Sequence, residues 1–163
     1  MREPKKKYHT REQALQKLQR YCVYQDRCHA EVRTKLLSLG IYGDDLEEII
    51  VELIGENYLN EERFARSYAR GKFRFKCWGR IRITQELKSR RISDYLIRKA
   101  LEEIDETEYR QALYDLLEKK LALIGTDNDF EKKQKLAGYA QRRGFEGALI
   151  WETVGEVFDA EQH

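Results

Sequence analysis

The residues best suited to do chemistry in this sequence are cations, concentrated between Arg70 and Arg91. That segment holds nine lysines and arginines against one acidic residue, Glu86. A guanidinium group presents planar, paired donors that suit phosphate and carboxylate oxygens, and a lysine adds a compact positive charge. The segment is therefore a candidate site for nucleic acid or for an acidic protein surface. Its cations are Arg70, Lys72, Arg74, Lys76, Arg80, Arg82, Lys88, Arg90 and Arg91.

The first of these cations continue a helical pattern that begins upstream. At about 100° per residue, four arginines fall on one side of a helix, where we expect an exposed stripe. They are Arg63, Arg66, Arg70 and Arg74.

Aromatic residues are interleaved with the same cations. Phe64, Tyr68 and Phe75 fall together on a second side of the helix, which favours packing into a core. Phe73 and Trp78 fit two interpretations equally, either core packing or stacking on the exposed bases of a single strand.

The charge is distributed unevenly along the chain. The overall net charge is +2, but residues 1–59 have a net charge of zero, residues 60–99 of +9 and residues 100–163 of −7. A basic centre of this kind indicates a polyanionic or acidic partner. The alternative is a chain with 37% charged residues that carries patches without function.

Capping residues and apolar spacing predict nine helices in three sets of three. The predicted starts are at Thr10, Asp26, Asp44, Asn60, Gly79, Ser93, Asp105 and Asn128, and the last helix carries Leu149, Ile150, Val154 and Val157. Three similar junctions, KLLSLGI, ELKSRRI and YAQRRGF, end at Ile41, Ile92 and Phe145, which are 51 and 53 residues apart. A helical repeat of this length predicts neighbour-to-neighbour packing.

We therefore expect an all-α, elongated and curved array of three three-helix repeats. The predicted parts are a flexible basic arm at residues 1–9, a first repeat at 10–57, a basic second repeat at 58–104 and an acidic third repeat at 105–163. The alternative is one compact bundle whose helix lengths coincide.

Signals of catalysis, cofactor binding or metal binding are scarce. The histidines are His9, His29 and His163, no phosphate loop or nucleophile motif occurs, and Cys22, Cys28 and Cys77 lack metal-site spacing. Acidic pairs such as Glu102-Glu103 fit helix first turns or solvated faces. We predict no enzymatic activity, no cofactor and no metal. No stretch has the length of a membrane span or the form of a secretory signal, so we expect a cytoplasmic protein without membrane contact.

Three stretches resemble a known family. Residues 60–65 read NEERFA and are followed by Tyr68, residues 79–87 read GRIRITQEL, and residues 27–36 read RCHAEVRTKL. In these stretches the chain is similar to the bacterial RecX regulators of the RecA recombinase. The family often has serine at the position of Cys28. In the third repeat the likeness is limited to the helical pattern and to residues 142–145, RRGF.

The resemblance implies a fold, a partner and binding residues. RecX-like proteins are tandem three-helix arrays that bind the RecA nucleoprotein filament and mostly inhibit its ATPase, strand-exchange and co-protease activities. By this account the chain is a monomeric regulator whose basic centre faces RecA, single- or double-stranded DNA, or both. Arg27, Arg33 and Lys35 would form a secondary binding set. The alternative is a sequence-independent DNA- or RNA-binding helical protein, whose affinity would fall more steeply with salt.

Overall fold

The computed structural model describes residues 9–162, and these residues form nine α-helices and no strand. The predicted arm, residues 1–9, lies outside the described residues except for His9. The helices are α1 (Arg11–Tyr24), α2 (His29–Ser38), α3 (Gly43–Gly55), α4 (Glu61–Lys76), α5 (Arg80–Ser89), α6 (Asp94–Leu101), α7 (Glu106–Leu121), α8 (Asp129–Arg142) and α9 (Gly147–Glu161). We call α1–α3, α4–α6 and α7–α9 the first, second and third units.

Side-chain caps explain where five of these helices begin. Thr10 forms a complete capping box with Gln13. Each of the other four caps accepts a hydrogen bond from the backbone N–H three residues on, which satisfies one otherwise unpaired donor. They are Asn60, Ser93, Asp105 and Asn128, all at the predicted positions.

Two predicted caps are wrong. The residue before α2 is Cys28, and its side chain makes no capping hydrogen bond. Asp26 does not cap the helix, because its carboxylate accepts a hydrogen bond from Arg63 at 2.7 Å. The residue before α3 is Tyr42, so Asp44 lies inside the first turn. There its negative charge is favourable beside the positive end of the helix dipole.

The second helix of every unit ends in the same way. The N–H groups of Ile41, Ile92 and Phe145 donate to carbonyls five residues earlier, at 3.0, 3.1 and 3.2 Å. The residue before each of them has a left-handed backbone, and these residues are Gly40, Arg91 and Gly144. This is the Schellman arrangement, in which a following apolar side chain packs back on the helix. The three predicted junctions are therefore one structural motif used three times.

The buried side chains form two separate cores. One lies within the first unit and includes Leu18, Leu36 and Ile49, all fully buried. The other runs through the second and third units and also includes Cys28, which directly precedes α2. Its two halves are joined by aromatic rings. The ring centre of Tyr109 lies 5.8 Å from that of Phe73 and 5.1 Å from that of Phe145.

A close backbone approach also joins the second and third units. Gly79 donates its N–H to the carbonyl of Arg143 at 2.7 Å, and Ile81 donates to Gly144 at 2.9 Å. A Cβ atom at Gly79 would stand 2.3 Å from the backbone of Gly144, so only glycine fits at this position. The loops α4–α5 and α8–α9 are therefore held together.

One prediction about α4 is wrong. Phe75 is 86% exposed, whereas Phe73 is 7% exposed. The buried side of α4 is centred on Ala65 and Ala69, whose small side chains let α6 pack closely. Aromatic spacing alone places the buried face too far round the helix, because the alanines contribute little to such a pattern.

The whole molecule is a helical array, as predicted. No helix within residues 9–162 combines the length and the apolar character that a membrane crossing requires.

Candidate partner-binding surface

Arg63, the first member of the predicted stripe, is used within the chain. Its guanidinium group donates to the carboxylate of Asp26 at 2.7 Å and to the carbonyls of Asn57 and Tyr58 at 3.1 and 3.2 Å. These contacts fasten the start of α4 to the end of α3 and to the α1–α2 loop. Arg63 therefore joins the first unit to the second.

Arg66 and Arg70 converge on one carboxylate. Each donates to Glu103 at 3.1 Å, one to either oxygen. Glu103 follows α6 and lies 37 and 33 residues away in sequence. The interpretation of Glu102-Glu103 as a solvated acidic pair is wrong for Glu103, because its charge neutralises part of the stripe.

Arg80 lies between the second and third units. It donates to Glu146 at 2.7 Å and to Glu106, and its guanidinium carbon lies 3.9 Å from the centre of the Tyr109 ring. Burial lowers the pKa of Arg80, but the hydrogen bonds to Glu106 and Glu146 outweigh that effect and raise it. Arg80 is a charged link between units.

Tyr109, the ring under Arg80, is fully buried. Its hydroxyl donates to Glu146 and accepts a hydrogen bond from the Arg80 N–H at 3.0 Å. Burial and then the hydrogen bond to Glu146 raise the pKa of the tyrosine well above its ordinary value. The phenol of Tyr109 is therefore protonated and neutral in the folded protein at neutral pH.

Trp78 and Tyr68 form a partly buried pair covered by cations. Their ring centres are 6.4 Å apart. The Nζ atom of Lys72 lies 5.3 Å from the ring centre of Tyr68 and 5.0 Å from that of Trp78. The guanidinium carbon of Arg82 lies 4.1 Å from the ring centre of Trp78, and that of Arg90 lies 4.9 Å from the ring centre of Tyr68. Cation–π contacts of this kind hold the cations in place beside the rings.

The remaining cations of the basic centre are more accessible. Arg74, Lys76 and Arg91 are exposed, and Lys88, with a side chain 60% exposed, approaches Asp94 at only 4.0 Å. Arg90 donates to Glu86 at 3.2 Å. The structure thus divides the predicted set into arginines that brace the fold and cations that face solvent.

Two further arginines adjoin the exposed cations. Arg143 donates to the carbonyl of Lys76 at 2.6 Å, and Arg82 reaches the carbonyl of Arg142 at 3.5 Å. We call this group the junction surface. It consists of Lys72, Arg74, Lys76, Arg82, Arg142 and Arg143, none of which forms an ion pair with another residue in 9–162.

Arg142 and Arg143 were absent from the predicted site. They lie in a segment of net negative charge, and segment averages hide local clusters. The available signal was the junction repeat, since YAQRRGF places Arg143 where ELKSRRI has Arg90, with Arg142 directly before it.

The predicted secondary set lies in the first unit. Arg27, with a side chain only 11% exposed, stacks on Tyr21 at 3.6 Å. Arg33 is bound by both oxygens of Glu47, at 2.6 and 2.9 Å, and these hydrogen bonds lower the pKa of Glu47. Lys35 lies 5.8 Å from the Tyr21 ring. Arg27 also lies 3.6 Å from Glu31, so Arg27 and Arg33 each have a carboxylate partner within their own unit.

Potential ligands for a metal do not cluster. Within residues 9–162, no three His, Cys, Asp or Glu side chains lie close enough to hold an ion. Cys28 is fully buried, and burial raises the pKa of its thiol to about 11.

Comparisons with known proteins agree on one family. A family model of the second three-helix domain of RecX matches residues 60–101, and a model of the third matches residues 106–154. The regulatory protein RecX of Chlorobaculum tepidum is 31% identical over 132 residues, which is 81% of this chain and 80% of that protein. RecX of Pelodictyon phaeoclathratiforme is 29% identical over 124 residues, 76% of this chain and 73% of that protein.

A solved structure shares the fold. The crystal structure of RecX from Lactobacillus salivarius superimposes with a TM-score of 0.81 at 26% identity and covers 90% of this chain and 96% of that one. The matched domains begin at the Asn60 cap and just after the Asp105 cap, and so follow the helix sets described above. This chain is a member of the RecX family of regulatory proteins.

Proposed function

We propose that this chain binds the RecA nucleoprotein filament and restrains its ATP hydrolysis, strand exchange and co-protease activity. Membership of the RecX family supports the proposal. The structural observation that carries it is the junction surface, where six cations at or near the α4–α5 and α8–α9 loops form no ion pair with another described residue. Such a surface suits DNA phosphates, acidic protein side chains, or both.

The proposed regulator acts without covalent chemistry. A binding protein can move a filament between states only by its different affinity for those states. Cations that already have carboxylate partners add little to that difference, because a new contact must replace an existing one. Arg74 and Lys76 have no such partner in the described chain, so the main contribution falls to them and their neighbours.

The deciding experiment measures RecA ATP hydrolysis on single-stranded DNA with this chain added well below the RecA concentration. We expect the rate to fall at loadings that leave the DNA unsaturated. The variant with Arg74→Glu and Lys76→Glu should need at least about ten-fold more protein for the same effect.

The matched control reverses two cations elsewhere. Lys17→Glu with Arg20→Glu changes the same number of charges on the exposed side of α1, in the first unit. It should inhibit like the unaltered chain. No effect of the unaltered chain on the hydrolysis rate would refute the proposed function, and equal inhibition by the two double variants would remove the junction surface from it.

Binding of nucleic acid alone is a second candidate, favoured by Phe75. This ring is 86% exposed between Arg74 and Lys76, so it is available to stack on a base. Salt separates the two candidates. Binding carried by phosphates should weaken with a log–log slope of about −0.7 per neutralised phosphate of a single strand. Binding to a protein surface with apolar contacts should retain more affinity.

A further inference from the structure

The exposed side of α8 lies between two depressions, one facing the second unit and one within the third unit. On one side a depression of about 590 Å³ lies between α8 and α5, and on the other a depression of about 520 Å³ lies between α8 and the α7–α8 connection. Both include Gln134, Gly138 and Arg142 in their lining. We call these two depressions, together with the stretch of α8 that both share, the α8 valley.

Gly138 belongs to the stretch of α8 that both depressions share. It lies in the interior of α8, where glycine is about 1 kcal/mol less favourable for helix formation than alanine. No left-handed backbone requires glycine there, and an added Cβ would meet only the guanidinium end of the Arg142 side chain, at 3.3 Å. The fold therefore does not need glycine at this position. Its effect is to leave the floor of the valley open.

The walls combine apolar side chains with positive charge. Ile81 is 44% exposed and Trp151 is 48% exposed on the α5 and α9 side, and Leu123 is 79% exposed on the other. The cations of the lining are Arg82, Lys120, Lys135 and Arg142. Its single acidic residue, Glu86, accepts a hydrogen bond from Arg90 at 3.2 Å.

We propose that the α8 valley is a docking site for an acidic, amphipathic segment of the protein partner. Apolar residues of that segment would pack on Ile81, Trp151 and Leu123, and its carboxylates would meet the four cations. A nucleic-acid strand fits less well, because exposed Ile81 and Leu123 offer no plane for stacking and contribute nothing to phosphate binding. This inference rests on the proposed function for the identity of the partner.

The test fills the valley without disturbing the fold. Gly138→Leu places a side chain on the floor, and leucine is the better helix former, so the melting temperature should not fall. The matched control is Gly55→Leu, at the end of α3, where nothing lies within 4 Å of an added Cβ. Trp151→Ala is a second variant that removes an apolar wall instead of adding bulk.

Each protein is assayed for inhibition of RecA ATP hydrolysis and, separately, for binding of a single-stranded oligonucleotide without RecA. We expect Gly138→Leu to weaken inhibition at least about ten-fold and Trp151→Ala to weaken it in the same direction. Gly55→Leu should inhibit normally. Oligonucleotide binding should be unchanged in all three.

The contrary outcomes are distinct. Inhibition by Gly138→Leu equal to that of the unaltered chain overturns the valley proposal and leaves the proposed function standing. Parallel loss of inhibition and of oligonucleotide binding assigns the valley to nucleic acid and overturns the protein segment. An unaltered chain that fails to inhibit refutes the proposed function, and with it a RecA segment in the valley.

Discussion

At the scale of single residues, the arginines of the basic centre differ in what surrounds them rather than in their chemistry. Arg66 and Arg70 share Glu103, and Arg80 is held by Glu106 and Glu146. An exposed ion pair contributes only about 0.2–1 kcal/mol, but breaking it for a partner subtracts that amount from the affinity gained. Charge counted along the sequence therefore overstates the number of cations available for binding.

A pair of charge reversals tests this distinction. Arg70→Glu places two carboxylates together at Glu103, and we expect the free energy of unfolding to fall by roughly 1 kcal/mol. Arg74→Glu, one turn along the same helix and without an ion-pair partner in the described chain, should change it by less than about 0.5 kcal/mol. Urea denaturation of both variants measures the difference. Equal loss of stability in the two would mean that the Glu103 contacts contribute nothing.

Several of the residues that the sequence misassigned share one cause. Their partners are distant in the chain, as Glu103 is from Arg66 and Arg142 is from Arg82. Helical spacing reports which residues share a side of one helix, and it contains no information on which helix will cover that side. Phe75 and Phe73 illustrate the limit, since the packing of α6 decided which of them is buried.

At the scale of the helices, the Schellman motif places different residues under the same constraint. Gly40 and Gly144 adopt the left-handed backbone with φ of 81° and 93°, and Arg91 adopts it with φ of 59°. A residue with a Cβ atom is strained by about 1–2 kcal/mol in this conformation. The second unit therefore carries strain that the corresponding glycines avoid.

Replacing that residue should stabilise the protein. We expect Arg91→Gly to raise the free energy of unfolding by about 1 kcal/mol, because the strain at the left-handed position disappears. Gly40→Ala, at the equivalent position of the first unit, should lower it by about the same amount. Thermal and urea unfolding of both variants provide the measurement. A loss of stability in Arg91→Gly would show that its side chain makes contacts worth more than the strain.

Helix starts were predictable where the cap is a local interaction. Asn60 and Ser93 each act on a backbone group three residues away, so the relevant atoms are close in sequence. The carboxylate of Asp26 is equally suitable as a helix cap, but it accepts a hydrogen bond from Arg63, 37 residues away, instead. A local signal fails wherever a distant residue competes for the same atoms.

At the scale of the whole molecule, the two cores divide the array unequally. The first unit has its own core, and the second and third share one through Phe73, Tyr109 and Phe145. The repeat spacing predicted neighbour-to-neighbour packing of three similar units. It did not indicate which interface is continuous, because that depends on the aromatic contacts and on the approach of Gly79 to Gly144.

Truncations within the two cores should therefore affect different parts of the chain. Leu18→Ala and Leu117→Ala each remove a fully buried side chain, at an expected cost of about 2–5 kcal/mol. Amide hydrogen exchange should accelerate in α1–α3 alone for Leu18→Ala, and across α4–α9 for Leu117→Ala. Faster exchange throughout the molecule after Leu18→Ala would contradict the separation of the cores.

The positions of the two tryptophans give the protein a built-in optical readout. Trp78 is covered by Arg82 and Lys72 at the junction surface, and Trp151 borders the α8 valley. The chain has no other tryptophan. Single-tryptophan variants would therefore emit from one surface at a time. A partner that binds in the valley should shift the emission of Trp151 to shorter wavelength, and one that moves Arg82 away from the ring should change the emission of Trp78.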